Sequence, residues 1–295
     1  VDTFGPGELW PRLQKATARA LASGHLCPIP TTTRWLADEG VNFLVRIVVG
    51  EFTKPVGFSG EMSPIDRNPF LPYEPELFVA DISSSHVALL NKFVVLEKHL
   101  LIVTREFQPQ TDPQRAADFA AVARCLWEYP SIAFYNSGKT AGASQPHRHW
   151  QLIPLPLDER LAGLPIDSRL PFDSPAGQVL EAATLPFAHR WWKFAPDADD
   201  SMERFARQCV QAYAELVRAV GWAHVSEDTP YNLQITRRWM MLVPRRSECF
   251  AAISLNAMAF LGAILVRNET QFEQLAAAGP WRVLITAAGV GPPAV

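Results

Sequence analysis

The run Gln145-Pro146-His147-Arg148-His149-Trp150-Gln151 sets two imidazoles and a carboxamide at alternate positions. In an extended strand, side chains alternate between faces with period two, so His147, His149 and Gln151 share one side. Trp150 and Leu152 then point the other way, where they can pack into a core. Three hydrogen-bonding side chains on one face demand partners, because burying them unpaired is costly. One chemistry that uses them is substitution at phosphorus. A neutral imidazole is a good nucleophile there, and its phosphoramidate product splits one substitution into two. Gln151 can donate to the oxygens that gather charge in the transition state. The same spacing also suits two histidines satisfied by backbone partners on a polar sheet face. A zinc site is a further reading, but no convincing third ligand stands nearby.

The segment before the strand, Asn136 to Gln145, is a loop of small and polar residues that can bring backbone N–H groups up to phosphate. Within it, Gly138-Lys139-Thr140 imitates the end of a P-loop. That motif needs glycine five positions earlier, where Ala133 stands, and it must open a helix. Here a strand follows instead.

The elements that must position this strand are legible in part. Apolar spacing predicts helices over Leu9–Ser23, Asp112–Glu128 (capped by Asp112), Ser201–Val220, Met258–Leu265 and Thr270–Ala278. Strands are expected at Val41–Val49, Val87–Leu96, His99–Thr104, Ile132–Tyr135, His147–Ile153, Tyr231–Thr236 and Trp239–Val243. Phe52–Pro75 reads as a long ordered loop and Pro154–Pro175 as a proline-rich surface crossing. Strands and helices mix without strict βαβ alternation, which points to an α+β architecture.

A chain of 295 residues is long enough to bury a large core. Its net charge of −3 argues against a nucleic-acid partner, which calls for a basic face, but not against a small anion. Four scattered cysteines without a CxxC pair argue against a disulfide framework and fit a reducing cytoplasm. No leader peptide is evident, and the longest apolar stretch, Ala251 to Val266, is too short to span a membrane.

Taken whole, Asn136 through Gln151 resembles the signature of the histidine-triad branch that carries Gln in the third triad position. Within that branch it is most similar to the diadenosine tetraphosphate phosphorylases, also called ATP adenylyltransferases. Galactose-1-phosphate uridylyltransferases share the His-x-His-x-Gln core. Asn68-Pro69-Phe70-Leu71-Pro72, Glu74-Pro75-Glu76-Leu77 and Leu90-Asn91-Lys92-Phe93 resemble the same phosphorylase family. So do Tyr231-Asn232-Leu233, Thr236-Arg237-Arg238-Trp239 and Val243-Pro244-Arg245 towards the C-terminus.

The resemblance implies an α+β, histidine-triad-like fold: a mainly antiparallel sheet carries the active-site strand, and helices pack on it. Residues 1–160 would form the catalytic part and 161–295 a C-terminal part completing the cleft, both in one compact body. His149 would be the nucleophile, His147 would fix its orientation, and Gln151 would bind the phosphoryl oxygens. Substrate contacts would come from Lys54, Asn91, Lys92, Asn136, Gly142, Ala143, Ser144, Gln145, Thr236, Arg237 and Arg245. The implied reaction is phosphorolysis of diadenosine tetraphosphate to ATP and ADP through an AMP–histidine intermediate. Dinucleoside polyphosphate, ATP, ADP and inorganic phosphate are the expected partners of a monomer or small homo-oligomer. No tightly bound cofactor and no dedicated metal site are expected, although Mg or another divalent cation can accompany the polyphosphate. Two rival readings are a transferase acting on a sugar-1-phosphate or nucleotide sugar, and a non-catalytic nucleotide sensor.

Overall fold

Leu9, Leu13, Ala16 and Ala20 recur at helical spacing, and they form the buried face of α1 (Leu9–Ala22) in a computed structural model of the chain. The structure describes residues 3–50, 68–195 and 201–289. After α1 come β1 (Thr31–Asp38), β2 (Val41–Val48), β3 (Phe78–Asp81), β4 (His86–Leu90) and β5 (Leu100–Thr104). Then follow α2 (Ala116–Leu126), β6 (Ser131–Asn136), β7 (His149–Pro154), β8 (Val179–Leu180) and β9 (Arg190–Lys193). The C-terminal part adds α3 (Met202–Ala219), β10 (Tyr231–Ile235), β11 (Trp239–Pro244), β12 (Cys249–Phe250) and β13 (Ile253–Ser254). It ends with β14 (Ala263–Val266), α4 (Glu269–Ala278) and α5 (Pro280–Ala287).

Nine strands make one sheet in the order β3-β4-β5-β7-β6-β10-β11-β9-β8, antiparallel at every step. A second sheet, β1-β2-β14, includes a parallel pair. The fold is therefore α+β, with a large antiparallel sheet carrying the strand of interest. Alternation along the strands divides the core. Trp150, Leu152, Ala133, Tyr135, Leu100 and Ile102 face one side with buried residues of α1, α2 and α3. Ile132, Phe134, Ile153, Trp239 and Met241 face the other, against β2, β14, α4 and α5. On that second side a separate small cluster covers β4 and β5: Phe70, Val87, Leu89, Leu101 and Val103. β7 runs along the seam between these two apolar clusters.

Several expected elements differ, each for a tertiary reason. The helix expected from Asp112 begins at Ala116, because Gln110 and Gln114 are bonded to the strand region around His149 and Trp150. Asp118 reaches back to cap the Arg115 N–H at 2.7 Å. The strand expected to reach Leu96 stops at Leu90, and the one expected from His147 begins at His149. Met258–Leu265 is not helical. A short 3₁₀ turn, Ala259–Leu261, ends at Gly262 with φ of +84°, and β14 then pairs in parallel with β2. Pro154–Pro175 does not merely cross the surface, since Leu157, Leu164, Ile166 and Leu170 are buried in the second core. Of the loop expected at Phe52–Pro75, residues 52–67 lie outside the described residues. Among the described residues, no helix is long and apolar enough to cross a membrane.

Candidate active site

His149 opens β7 opposite Val103 of β5, and Gln151 follows on the same face opposite Leu101. Both side chains line a cavity of about 150 Å³ with Phe70, Tyr73, Asn91, Lys92, Phe93, Ser144 and Gln145. It is smaller than the pockets of about 300–1,000 Å³ that enclose drug-sized ligands, so a ligand of that size would extend out of it. Next to His149, His147 sits just before the strand in a bridge with Pro109. The Phe70 ring lies against both imidazoles, with centroids 5.6 Å from His147 and 5.3 Å from His149.

Hydrogen bonds fix which nitrogen of each ring carries the proton. The only partner of His149 Nδ1 among the described residues is the carbonyl of His147 at 2.8 Å. A carbonyl accepts, so Nδ1 donates and Nε2 keeps a bare lone pair. His147 has the opposite tautomer. Its Nε2 donates to the Thr104 carbonyl at 2.8 Å and Oγ1 at 2.9 Å, and its Nδ1 accepts from Asn68 Nδ2 at 2.8 Å. The Asn68 carboxamide is itself oriented, because its Oδ1 accepts from the Phe70 N–H. His147 thus presents its peptide carbonyl to His149 while its ring is tied down on both sides.

Burial decides the protonation states. It pushes His149 down to about 4 from an ordinary 6.5, only partly opposed by the bond to the His147 carbonyl, and His147 nearby lowers it further. His147 is lowered for the same cause, against its bonds to the 104–106 backbone. His99, beside Gln151, is also pushed to about 4 by burial. At neutral pH the imidazoles of the site are uncharged, and His149 can attack an electrophile through Nε2 without first losing a proton.

The loop ahead of β7 is a compact turn. Gly142 has φ of +89°, and a Cβ there would stand 2.7 Å from the Leu255 carbonyl oxygen. Only glycine fits both restrictions. The N–H groups of Ala141, Gly142 and Ala143 bond to the carbonyls of Gly138 and Lys139. They close the turn, and Ser144 and Gln145 are the loop residues that line the cavity. Asn136, fully within the sheet, accepts at Oδ1 from Asn232 Nδ2 at 2.8 Å and from the Ala257 N–H at 2.9 Å. The link to the loop runs through Asn232, whose Nδ2 also donates to the Ala141 carbonyl at 2.8 Å.

The structure brings some of the expected contacts together and separates others. Asn91 and Lys92 line the cavity. The Asn91 carboxamide meets His99 Nδ1 at 3.2 Å, and Lys92 pairs with Glu74 at 2.6 Å. Arg245 is not among the residues lining this cavity, and its donors meet protein acceptors. Its Nη1 donates to Asn232 Oδ1, Ala141 O and Leu255 O, its Nη2 to Ser247 O, and its Nε to Ala287 O. Burial lowers it to about 10, and its donors hold the 139–142 turn against the C-terminal segment. Thr236 and Arg237 form the turn between β10 and β11, at the opposite end of the sheet from His149. They border a different cavity, of about 730 Å³, which also contains Ser131 and Leu155. Five strand residues, roughly 17 Å, separate that end of β7 from His149. Lys54 lies outside the described residues. Among the described residues, no three His, Cys, Asp or Glu side chains cluster as a metal site.

Two participants escaped the sequence reading. Gln110 and Thr104 carry no motif of their own, and only the folding of 104–110 alongside 146–149 brings them to the histidines. Asn68 stood within a quoted motif, but without a role.

Comparison with known proteins gives the family. Residues 2–172 match the family model of the Ap4A phosphorylase N-terminal domain, and residues 183–290 that of the ATP adenylyltransferase C-terminal domain. The chain is 28% identical to Protein APA1 of Saccharomyces cerevisiae over 220 residues, covering 68% of this chain and 67% of that one. It is 26% identical over 239 residues to diadenosine 5',5'''-P1,P4-tetraphosphate phosphorylase 2 of the same yeast, covering 71% of each. The fold is similar to the crystal structure of yeast Ap4A phosphorylase Apa2, with a TM-score of 0.77 and 22% identity over 95% of this chain and 97% of the other. The two family models cover nearly all of the sequence in order, and with them the chain belongs to the Ap4A phosphorylase family of ATP adenylyltransferases.

Proposed function

We propose that this nucleotidyltransferase phosphorolyses diadenosine tetraphosphate to ATP and ADP through an AMP adduct on His149. The observation that carries the reading is the unprotonated Nε2 that an Nδ1–H bond of 2.8 Å to the His147 carbonyl leaves on His149, a residue lining a small cavity. Support for the substrate class comes from the family and from the yeast Apa2 structure, solved in complex with Ap4A.

In the first step Nε2 attacks the α-phosphorus next to one adenosine. The bond from that phosphorus to the bridging oxygen breaks, and ATP departs. Positive charge that develops on the ring is drawn towards the His147 carbonyl through Nδ1–H. Gln151 stabilises the phosphoryl oxygens as their charge grows. In the second step an oxygen of inorganic phosphate attacks the same phosphorus, the P–N bond breaks, and ADP leaves with the neutral imidazole restored. A divalent cation travelling with the polyphosphate compensates its charge.

Intact-protein mass after mixing enzyme with diadenosine tetraphosphate, without phosphate, tests this directly. The expected result is a gain of one AMP, absent in His149→Ala and discharged as ADP when phosphate is added. No adduct, under conditions where the dinucleotide binds, would favour a sugar-nucleotide substrate or a sensor instead.

A further inference from the structure

β6 and β7 pair from Ser131 with Pro154 to Phe134 with Gln151, and no further. Both strands nevertheless continue, to Asn136 and His149. The place of the missing rungs is taken by one side chain. Gln110 Oε1 accepts from the His149 N–H at 2.8 Å, and its Nε2 donates to the Asn136 carbonyl at 2.9 Å and the His149 carbonyl at 3.1 Å. Because a peptide N–H can only donate and a carbonyl only accept, the carboxamide orientation is unambiguous. Gln110 is 2% exposed. Its own backbone is held too: its N–H donates to the Pro146 carbonyl at 2.8 Å, and its carbonyl accepts from the Tyr135 hydroxyl.

A continued ladder would keep the two strands about 4.8 Å apart and leave no room for a side chain between them. The inserted carboxamide keeps the sheet end open while every backbone group on the His149 peptide stays satisfied. We propose that Gln110 is a positioning residue for the nucleophile. It clamps both polar groups of the His149 peptide, so that Nδ1–H keeps its carbonyl partner and Nε2 faces the cavity. This inference rests on His149 being the nucleophile.

Two substitutions test it. Gln110→Met keeps the length and removes all three bonds. Because misplacing a reacting group by about 1 Å can cost about 100-fold, single-turnover adenylylation should fall by that order while the dissociation constant for AMP moves by less than about threefold. Gln110→Glu is sharper, because its protonation switches the contact. Protonated, the acid keeps the acceptor for the His149 N–H and one of the amide's two donors; ionised, it sets lone pairs against two carbonyls. Its rate relative to wild type should therefore recover at pH 5.5 to within about threefold and fall about 100-fold at pH 8.5. If Gln110→Met does not fold, this comparison within one folded variant decides. Rate and binding falling together, an unchanged rate, or no recovery at low pH would overturn the proposal. A wild-type enzyme that forms no AMP adduct would instead sink the nucleophile reading. The Gln110 assignment is then decided without substrate by ¹⁵N shifts of the His149 ring. Loss of the single Nδ1–H tautomer in Gln110→Met supports it, and an unaltered tautomer overturns it.

Discussion

Desolvation pushes the His149 ring down to a pKa of about 4, so at neutral pH Nε2 has its lone pair without help from a base. If His149 is the nucleophile proposed above, protonation of that nitrogen disables it, on the acid side. The rate of adenylyl transfer should be level from about pH 8 down to about pH 5 and fall on approaching 4. Single-turnover rates across that range check it; an acid limb at 6.5 would mean a solvated imidazole. The pattern of His147, His149 and Gln151 was legible, because period-two spacing survives into β7 for the last two and His147 stays beside them. Gln110 was not, since nothing near it in sequence says that its amide will bridge two strands. Arg245 was legible as a basic residue at a strand end, but only the fold shows its donors committed to carbonyls and Asn232.

Among the elements, the 136–145 turn is tightly constrained. Gly142 combines a left-handed backbone with a close approach to the Leu255 carbonyl and to Asn256, whose Cα would stand 3.0 Å from an added Cβ. Gly142→Ala should destabilise the protein by about 2–4 kcal/mol, adding backbone strain to a clash that a neighbouring main chain must relieve. A denaturant midpoint that matches wild type would contradict this. The glycine was noticed in the sequence as a turn former; its contact with a segment over a hundred residues later was not visible there. Elements with a continuous apolar stripe, such as α1, were readable to within a residue. Those decided by distant partners were not: β14 exists because β2 offers it an edge, and α2 starts late because Gln110 and Gln114 are bonded to other elements.

At the scale of the whole molecule, burial of neutral histidines ties stability to pH. His99 and His149 both titrate near 4 when folded and near 6.5 when exposed. Between those values the unfolded chain binds more protons, so stability falls as pH drops from 6.5 towards 4 and is fully retained above 6.5. Urea midpoints at pH 7 and pH 4.5 should differ clearly, with the acid value lower; equal midpoints would mean that these rings are hydrated in the folded state. Composition and alternation were enough to foresee an α+β body. They did not foresee that residues on either side of position 160 share one sheet, joined where β6 lies beside β10. That seam has a consequence of its own. Parted there, each half would carry a raw row of unmatched N–H and C=O groups in mid-sheet, the kind of edge along which chains stick to strangers. Each half of the protein is thus the other's protection against aggregation, and the strand of His149 lies one place in from that shared edge.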